Sequence, residues 1–186
     1  MKILALDISK SCTGIACGAP GSAPTLTSVS FYREDETRGE TAARALRWIA
    51  EALPVLLPVT DAVTHPGRVV IEAPLMGGQK FHQNPETSYL LGGLAMVMEA
   101  ACRLKGKEVR LGNVQTVRKH FIGHGNLPGE EAKRRVKAQC LRLGWAPKNY
   151  DESDAAALWD WACAQVSKSS RTVQQEELNL KLARAH

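Results

Sequence analysis

Along this chain, short aliphatic runs stop on an acid. Ile3-Leu4-Ala5-Leu6 ends at Asp7, and Val69-Val70-Ile71 ends at Glu72. A run of this kind bounded by turn residues reads as a buried strand, and its carboxyl end is where open α/β sheets place ligands. The polar turn Ser9-Lys10-Ser11-Cys12 predicts a hairpin between strands at 3–7 and 13–17, and a third strand follows at 25–32 after a Gly/Pro/Ser loop. Ala42, Ala45, Leu46, Ile49 and Leu53 recur at helical spacing over 41–53, with Pro54 and Pro58 as the stop. A second helix is predicted over 85–105, with an apolar stripe of Leu90, Leu94, Val97, Met98 and Ala101; Gly92-Gly93 in its middle calls for a closely packed backbone. A strand at 108–111 follows. Asn113 should cap a helix carrying Val114, Val117 and Phe121. After the loop 123–129 another helix turns Val136, Cys140 and Leu143 inward, and a last one, 151–166, carries Ala155, Leu158, Trp159 and Ala162.

The length of 186 residues, 44% of them hydrophobic, suits one domain over 1–166, followed by a polar tail, 167–186, expected to be flexible. The longest apolar stretch, 90–98, is too short for a membrane span, and Asp7 interrupts the one run that could serve as a signal peptide, so a cytoplasmic protein is expected. Five cysteines without a CxxC pair argue against a disulfide framework or zinc ribbon. Net charge is +5, yet twelve Lys or Arg against three Glu fall between Arg103 and Lys148, giving +9 there and −4 elsewhere. Such asymmetry is the footprint of a polyanion partner, set against the plainer reading of a solvated face.

Asp7, Glu72, Asp151 and Asp154 bring acid from three separate elements. Gathered at one place they would repel one another unless a cation were shared, which points to a divalent metal held by oxygen ligands and to phosphodiester chemistry. Asp151 taken alone is explained by helix capping. Asp154 is three residues further on the same helical face, and capping does not explain both.

Three antiparallel-type strands, a helix, a strand ending in acid, then helices and a last strand follow the order of the ribonuclease H-like fold: α/β, with a central five-stranded mixed sheet flanked by helices. Asp7 with Thr13-Gly14, Val70-Ile71-Glu72, the helix beginning near Asn84 with Leu91-Gly92, and Asp151-x-x-Asp154-Ala155-Ala156-Ala157 resemble the RuvC family of Holliday junction resolvases, over residues 3 to about 165. The resemblance implies a homodimeric endonuclease that nicks two strands of like polarity at a four-way DNA junction. It also implies two Mg²⁺ ions per site, with Mn²⁺ able to substitute. By motif, Asp7, Glu72, Asp151 and Asp154 match the family's catalytic acids, and Arg118 and Lys133 match basic residues near the scissile phosphates. Two departures stand out. Ile8-Ser9 replaces the family's Pro-Gly, and Leu75 or Met76 stands where a wedge aromatic is usual. Phage and prophage variants of the family act on branched DNA more generally.

Other residues carry weaker signals. Lys119, Arg134 and Lys137 extend the basic segment as DNA contacts, and Phe81, in a Gly-rich loop, suits insertion at an unstacked base step. His120 and His124 are weighed as phosphate contacts against plain solvation, and Trp159 and Trp161 as core residues. Asp160 and Glu152 read as solvent charges. Rival classes are an RNA-processing nuclease of the same fold, a non-catalytic DNA-binding module, and an actin-like ATP phosphotransferase, which needs a duplicated domain that 186 residues do not hold.

Overall fold

The computed structural model describes residues 1–58, 67–74 and 84–166. Phe81, Leu75, Met76 and the tail 167–186, for which the sequence raises expectations above, lie outside the described residues. Strands β1 (Ile3–Asp7), β2 (Thr13–Gly18), β3 (Thr25–Val29), β4 (Arg68–Glu72) and β5 (Glu108–Gly112) form one sheet in the order β3-β2-β1-β4-β5. β1 pairs antiparallel with β2 and parallel with β4, and β4 pairs parallel with β5. This is the five-stranded mixed sheet that the pattern predicts.

Strand alternation divides the core in two. Leu4, Leu6, Ile15, Val69 and Ile71 face helices α1 (Arg38–Leu56) and α2 (Pro85–Leu104). Ile3, Ala5, Ala16 and Val70 face the second layer, built from α3 (Val114–Ile122), α4 (Gly129–Arg142) and α5 (Tyr150–Val166). α5 lies between the sheet and α3 and α4, so it is buried nearly all round, with Ala156, Ala157 and Cys163 enclosed as well as Ala155, Leu158, Trp159 and Ala162. Trp145 stacks on Phe121 and meets Trp159 edge-on, closing this layer.

Several boundaries differ from expectation. α1 starts at Arg38 because Thr37 and Glu40 form a capping box, which 41–53 overlooks. It also runs through Pro54 to Leu56: the missing N–H falls in the last turn, and the Leu57 N–H still bonds the Leu53 carbonyl, which seats Leu57 in the core. β3 stops at Val29, and Phe31 then turns into the core. In α2 a Cβ on Gly92 or Gly93 would meet open space, so no backbone packs there within the described chain. Leu90, Leu94 and Met98 are core residues, while Tyr89, Gly93, Met96, Ala100 and Leu104 form an exposed uncharged stripe. No described helix is long and apolar enough to cross a membrane.

Candidate active site

Asp7 and Glu72 are the last residues of neighbouring parallel strands, whose register pairs Leu6 with Ile71. Alternation fixes their direction. Asp7 shares the face of Ile3 and Ala5, and Glu72 that of Val70, so both aim at the α5 layer. There α5 begins with Tyr150, followed by Asp151 and Asp154 one turn apart. The four acids line one cleft of about 240 Å³ together with Ile8, Ser9, Arg118 and Lys133. Neither α5 acid is used as a cap, because the Asn149 side chain accepts the Glu152 N–H (2.8 Å).

The depth of α5 is set by glycine. Gly14, paired with Asp7, faces the first turn of α5, and a Cβ there would overlap the Asp151 carbonyl oxygen. The Thr13-Gly14 pair thus has a steric reason: any larger residue would lift Asp151 away from Asp7. Asp151 is held further by Ser9, whose hydroxyl proton is shared between the Cys12 carbonyl (2.6 Å) and Asp151 Oδ1 (3.2 Å). The Cys12 N–H donates to the same hydroxyl oxygen (3.1 Å).

Crowding shows in the acidities. Burial first, then the charges of Glu72, Asp154 and Asp151, push Asp7 well above the usual carboxylate range. Burial and Asp154 raise Glu72 to about 7, against the pull of Arg118. Burial raises Asp154 to about 6, opposed by Arg118 and Lys133. Asp7 and Glu72 share a hydrogen bond, so one proton relieves the repulsion between them. Among the described residues no three His, Cys, Asp or Glu side chains are already arranged around one metal position. The donor set nonetheless fits a hard divalent cation: carboxylate oxygens alone, on adjacent elements, in a cleft where burial and mutual repulsion raise the pKa values of Asp7, Glu72 and Asp154.

The predicted basic residues separate. Arg118 and Lys133 stand at the acids. Lys119, next on α3, faces a different, larger cleft of about 490 Å³ shared with Gln115, Thr116, His124 and Asn126. Arg134 is exposed on α4, and Lys137 lies against the Tyr150 ring. Two readings are corrected. Glu152 is not a solvent charge: it is buried, accepting from Ser28 Oγ (3.1 Å) and the Lys148 N–H (2.8 Å). Asp160 is fully buried against His120 Nε2 (2.9 Å), which ties α3 to α5 and commits that histidine to the core side. Sequence reasoning missed Ser9, which lines the cleft, and Tyr150, whose ring lies near the cleft residue Lys133. Their only signal was adjacency to Asp7 and Asp151.

Fold and cleft together define a ribonuclease H-like α/β protein with an acid cluster at the carboxyl ends of its central strands. No protein-family model and no curated protein matches the sequence. Among solved structures, RuvC of Thermus thermophilus is similar with TM-score 0.64 and 21% identity, over 91% of this chain and 98% of its own. T. thermophilus RuvC in complex with Holliday junction substrate gives TM-score 0.65 and 20% identity, over the same 91% and 98%. The yeast mitochondrial Holliday junction resolvase Ydc2 gives 0.55 and 10%, over 93% of this chain and 83% of its own. The chain therefore has the fold of these resolvases.

Proposed function

We propose that this protein is a metal-dependent endonuclease of the RuvC type that cuts four-way or otherwise branched DNA, leaving 5′-phosphate and 3′-hydroxyl ends. The observation that carries the reading is the convergence of Asp7, Glu72, Asp151 and Asp154 from three elements into one cleft edged by Arg118 and Lys133. The resolvase fold of the structural neighbours supports it. A non-catalytic DNA-binding module has no use for four crowded acids, which weaken binding to phosphate.

Asp7, Glu72, Asp151 and Asp154 would hold divalent ions, Mg²⁺ by preference. When bound, such ions supply an activated water for in-line attack and charge stabilisation for the leaving oxygen. The chain's own residues do the rest. Arg118 and Lys133 orient the scissile phosphate and offset the charge that builds on its oxygens. Asp7 and Glu72, which share a hydrogen bond, would hold a cation only in their deprotonated forms. Ser9 keeps Asp151 turned into the cleft.

Symmetric nicking of two strands needs two sites related by a two-fold axis, so the active form is a homodimer. The exposed stripe Tyr89, Gly93, Met96, Ala100 and Leu104 on α2 is the surface that supports this, with Tyr89 and Met96 each 72% and Leu104 86% exposed. The test is incubation with Mg²⁺ and labelled four-way junction, fork, linear duplex and RNA hairpin. Paired nicks in the junction, absent with EDTA and with Asp7→Asn, are the expected result. Cutting of RNA alone transfers the protein to RNA processing, and no cutting at all removes the nuclease reading.

A further inference from the structure

Tyr150 is a large aromatic residue between two groups that line or flank the acid cleft, Asp151 next to it in sequence and Lys133 near its ring, and no part of the proposed chemistry uses it. It is the first residue of α5, next to Asp151, and it is 37% exposed. It does not join the core cluster of the α5 layer. Its neighbours are ammonium groups instead: Lys133 Nζ lies 5.9 Å and Lys137 Nζ 5.6 Å from the ring centroid, within cation–π range. The Tyr150 backbone is fixed by the Ser153 hydroxyl, which donates to its carbonyl (2.8 Å). Lys137 is steadied by donating to the Lys148 carbonyl (3.3 Å). Neither lysine forms an ion pair among the described residues.

Single strands are gripped by this combination of parts: a π-face for a base and cations for the backbone on either side. Lys133 and Lys137 are i and i+4 on α4, side by side on one helical face, a spacing that suits neighbouring phosphates of one strand. Lys133 also lines the acid cleft, so one of those phosphates is at or next to the position of attack. We propose that Tyr150, Lys133 and Lys137 form a nucleotide subsite beside the acids, in which the ring carries an unpaired base flanking the cut and the two ammonium groups take the adjoining phosphates. This rests on the nuclease reading above. It adds a requirement that the flanking nucleotide leave its stack, which branched DNA meets more readily than linear duplex.

The test uses the full chain and a four-way junction in EDTA, with 2-aminopurine scanned through the positions flanking the mapped cut. Wild type and Tyr150→Phe should change the probe's fluorescence at one flanking position, and Tyr150→Leu should not. Tyr150→Leu should bind about tenfold more weakly with an unchanged salt slope, whereas Lys137→Ala should lower the slope by about one. A second measurement needs no variant: 5-iodouracil at the same position should photocrosslink to Tyr150 in the wild type. An unaltered probe response in Tyr150→Leu, or a wild-type crosslink that maps away from Tyr150, overturns the subsite while leaving the nuclease intact. A wild type that neither binds nor cuts the junction overturns the nuclease reading, and the subsite with it.

Discussion

Stability should fall, not rise, as the metal-free protein is taken from pH 5 to pH 8. Glu72 titrates at about 7 in the fold, against 4.5 as its ordinary value. At 1.36 kcal/mol per unit that gap corresponds to about 3 kcal/mol, an upper bound because Glu72 keeps some exposure in the cleft and titrates together with Asp7. Asp154, at about 6, and Asp7, also well above its ordinary value, act in the same direction. Because the folded values are raised, their stabilisation is complete below the unfolded pKa near 4 and is lost as pH climbs through about 6 to 7. Glu40 and Glu108 are lowered, by Thr37 and by Arg68 respectively; their effect has the opposite sign but falls below pH 4.5, outside the window. Divalent metal opposes the trend. At one hundred times its dissociation constant a bound ion adds about 2.7 kcal/mol at pH 8, comparable to the Glu72 contribution alone, and it adds little at pH 5, where the ligands hold protons. Urea unfolding at each pH, with EDTA and with Mg²⁺, measures both effects. Glu72→Gln should flatten the metal-free profile, making this variant more stable than wild type at pH 8 while abolishing most of the Mg²⁺ gain. A metal-free wild type whose stability is flat or rising between pH 5 and 8 would refute the crowded-acid argument.

Asp7→Asn and Asp154→Asn should each slow junction cleavage by more than about a hundredfold while binding is unchanged or tighter, as gel shift beside single-turnover assay would show. Lys133→Ala and Arg118→Ala should each reduce the slope of log affinity against log salt by about one; unchanged slopes would place both side chains away from DNA. Gly14→Ala should cost about 3 kcal/mol in urea unfolding and lower Mg²⁺ affinity in the same variant, since the added methyl displaces the start of α5. Gly93→Arg should convert a wild-type dimer to a folded monomer in sedimentation equilibrium, because nothing within 4 Å of that position resists the side chain inside one protomer; a wild-type monomer, with or without junction DNA, would sink the paired-nick mechanism.

The strand-borne half of the site was legible because its two signals are local. An aliphatic run that stops at an acid places Asp7 and Glu72 at the sheet's carboxyl edge, and period-two alternation sends both toward the same layer. The helical half was harder. Asp151 and Asp154 could be put on one face from their spacing, but Glu152 and Asp160 were assigned to solvent because most helices keep a wet side. α5 does not: Ala155 to Trp159 and Ala162-Cys163 are apolar around much of the helix, a composition that already marks enclosure on several sides. The Thr37-x-x-Glu40 capping box is equally readable, but it lies ahead of the apolar periodicity, which begins only at Ala42. On α2 the apolar periodicity was legible, since Leu90, Leu94, Met98 and Ala101 are buried, but the close packing expected at Gly92-Gly93 was not found. The period that marks the core face carries no information about the opposite side, where Tyr89, Met96 and Leu104 remain exposed.

The placement of four acids within one cleft depends less on the acids than on what lies opposite them. β2 presents Gly14 and β5 presents Gly112 to α5; a Cβ on the first would strike the Asp151 carbonyl, and one on the second the Leu158 side chain. These two contacts bring the helix down onto the sheet near its first turn and again about two turns later. Asn149, by capping that first turn, leaves the Asp151 and Asp154 carboxylates free for the cleft. Buried Glu152, tied to Ser28 of β3 and to the Lys148 backbone, holds the same turn from its other side. The repulsion stored among Asp7, Glu72 and Asp154 pushes that turn outward, and the glycine seats, the Asn149 cap and the Glu152 bonds resist it. Loosening the helix start, as in Glu152→Gln or Asn149→Ala, should therefore relax Glu72 toward its ordinary acidity and weaken cation affinity without removing a single ligand. The same variants would leave both quantities unchanged if the acids were merely solvated at a strand edge.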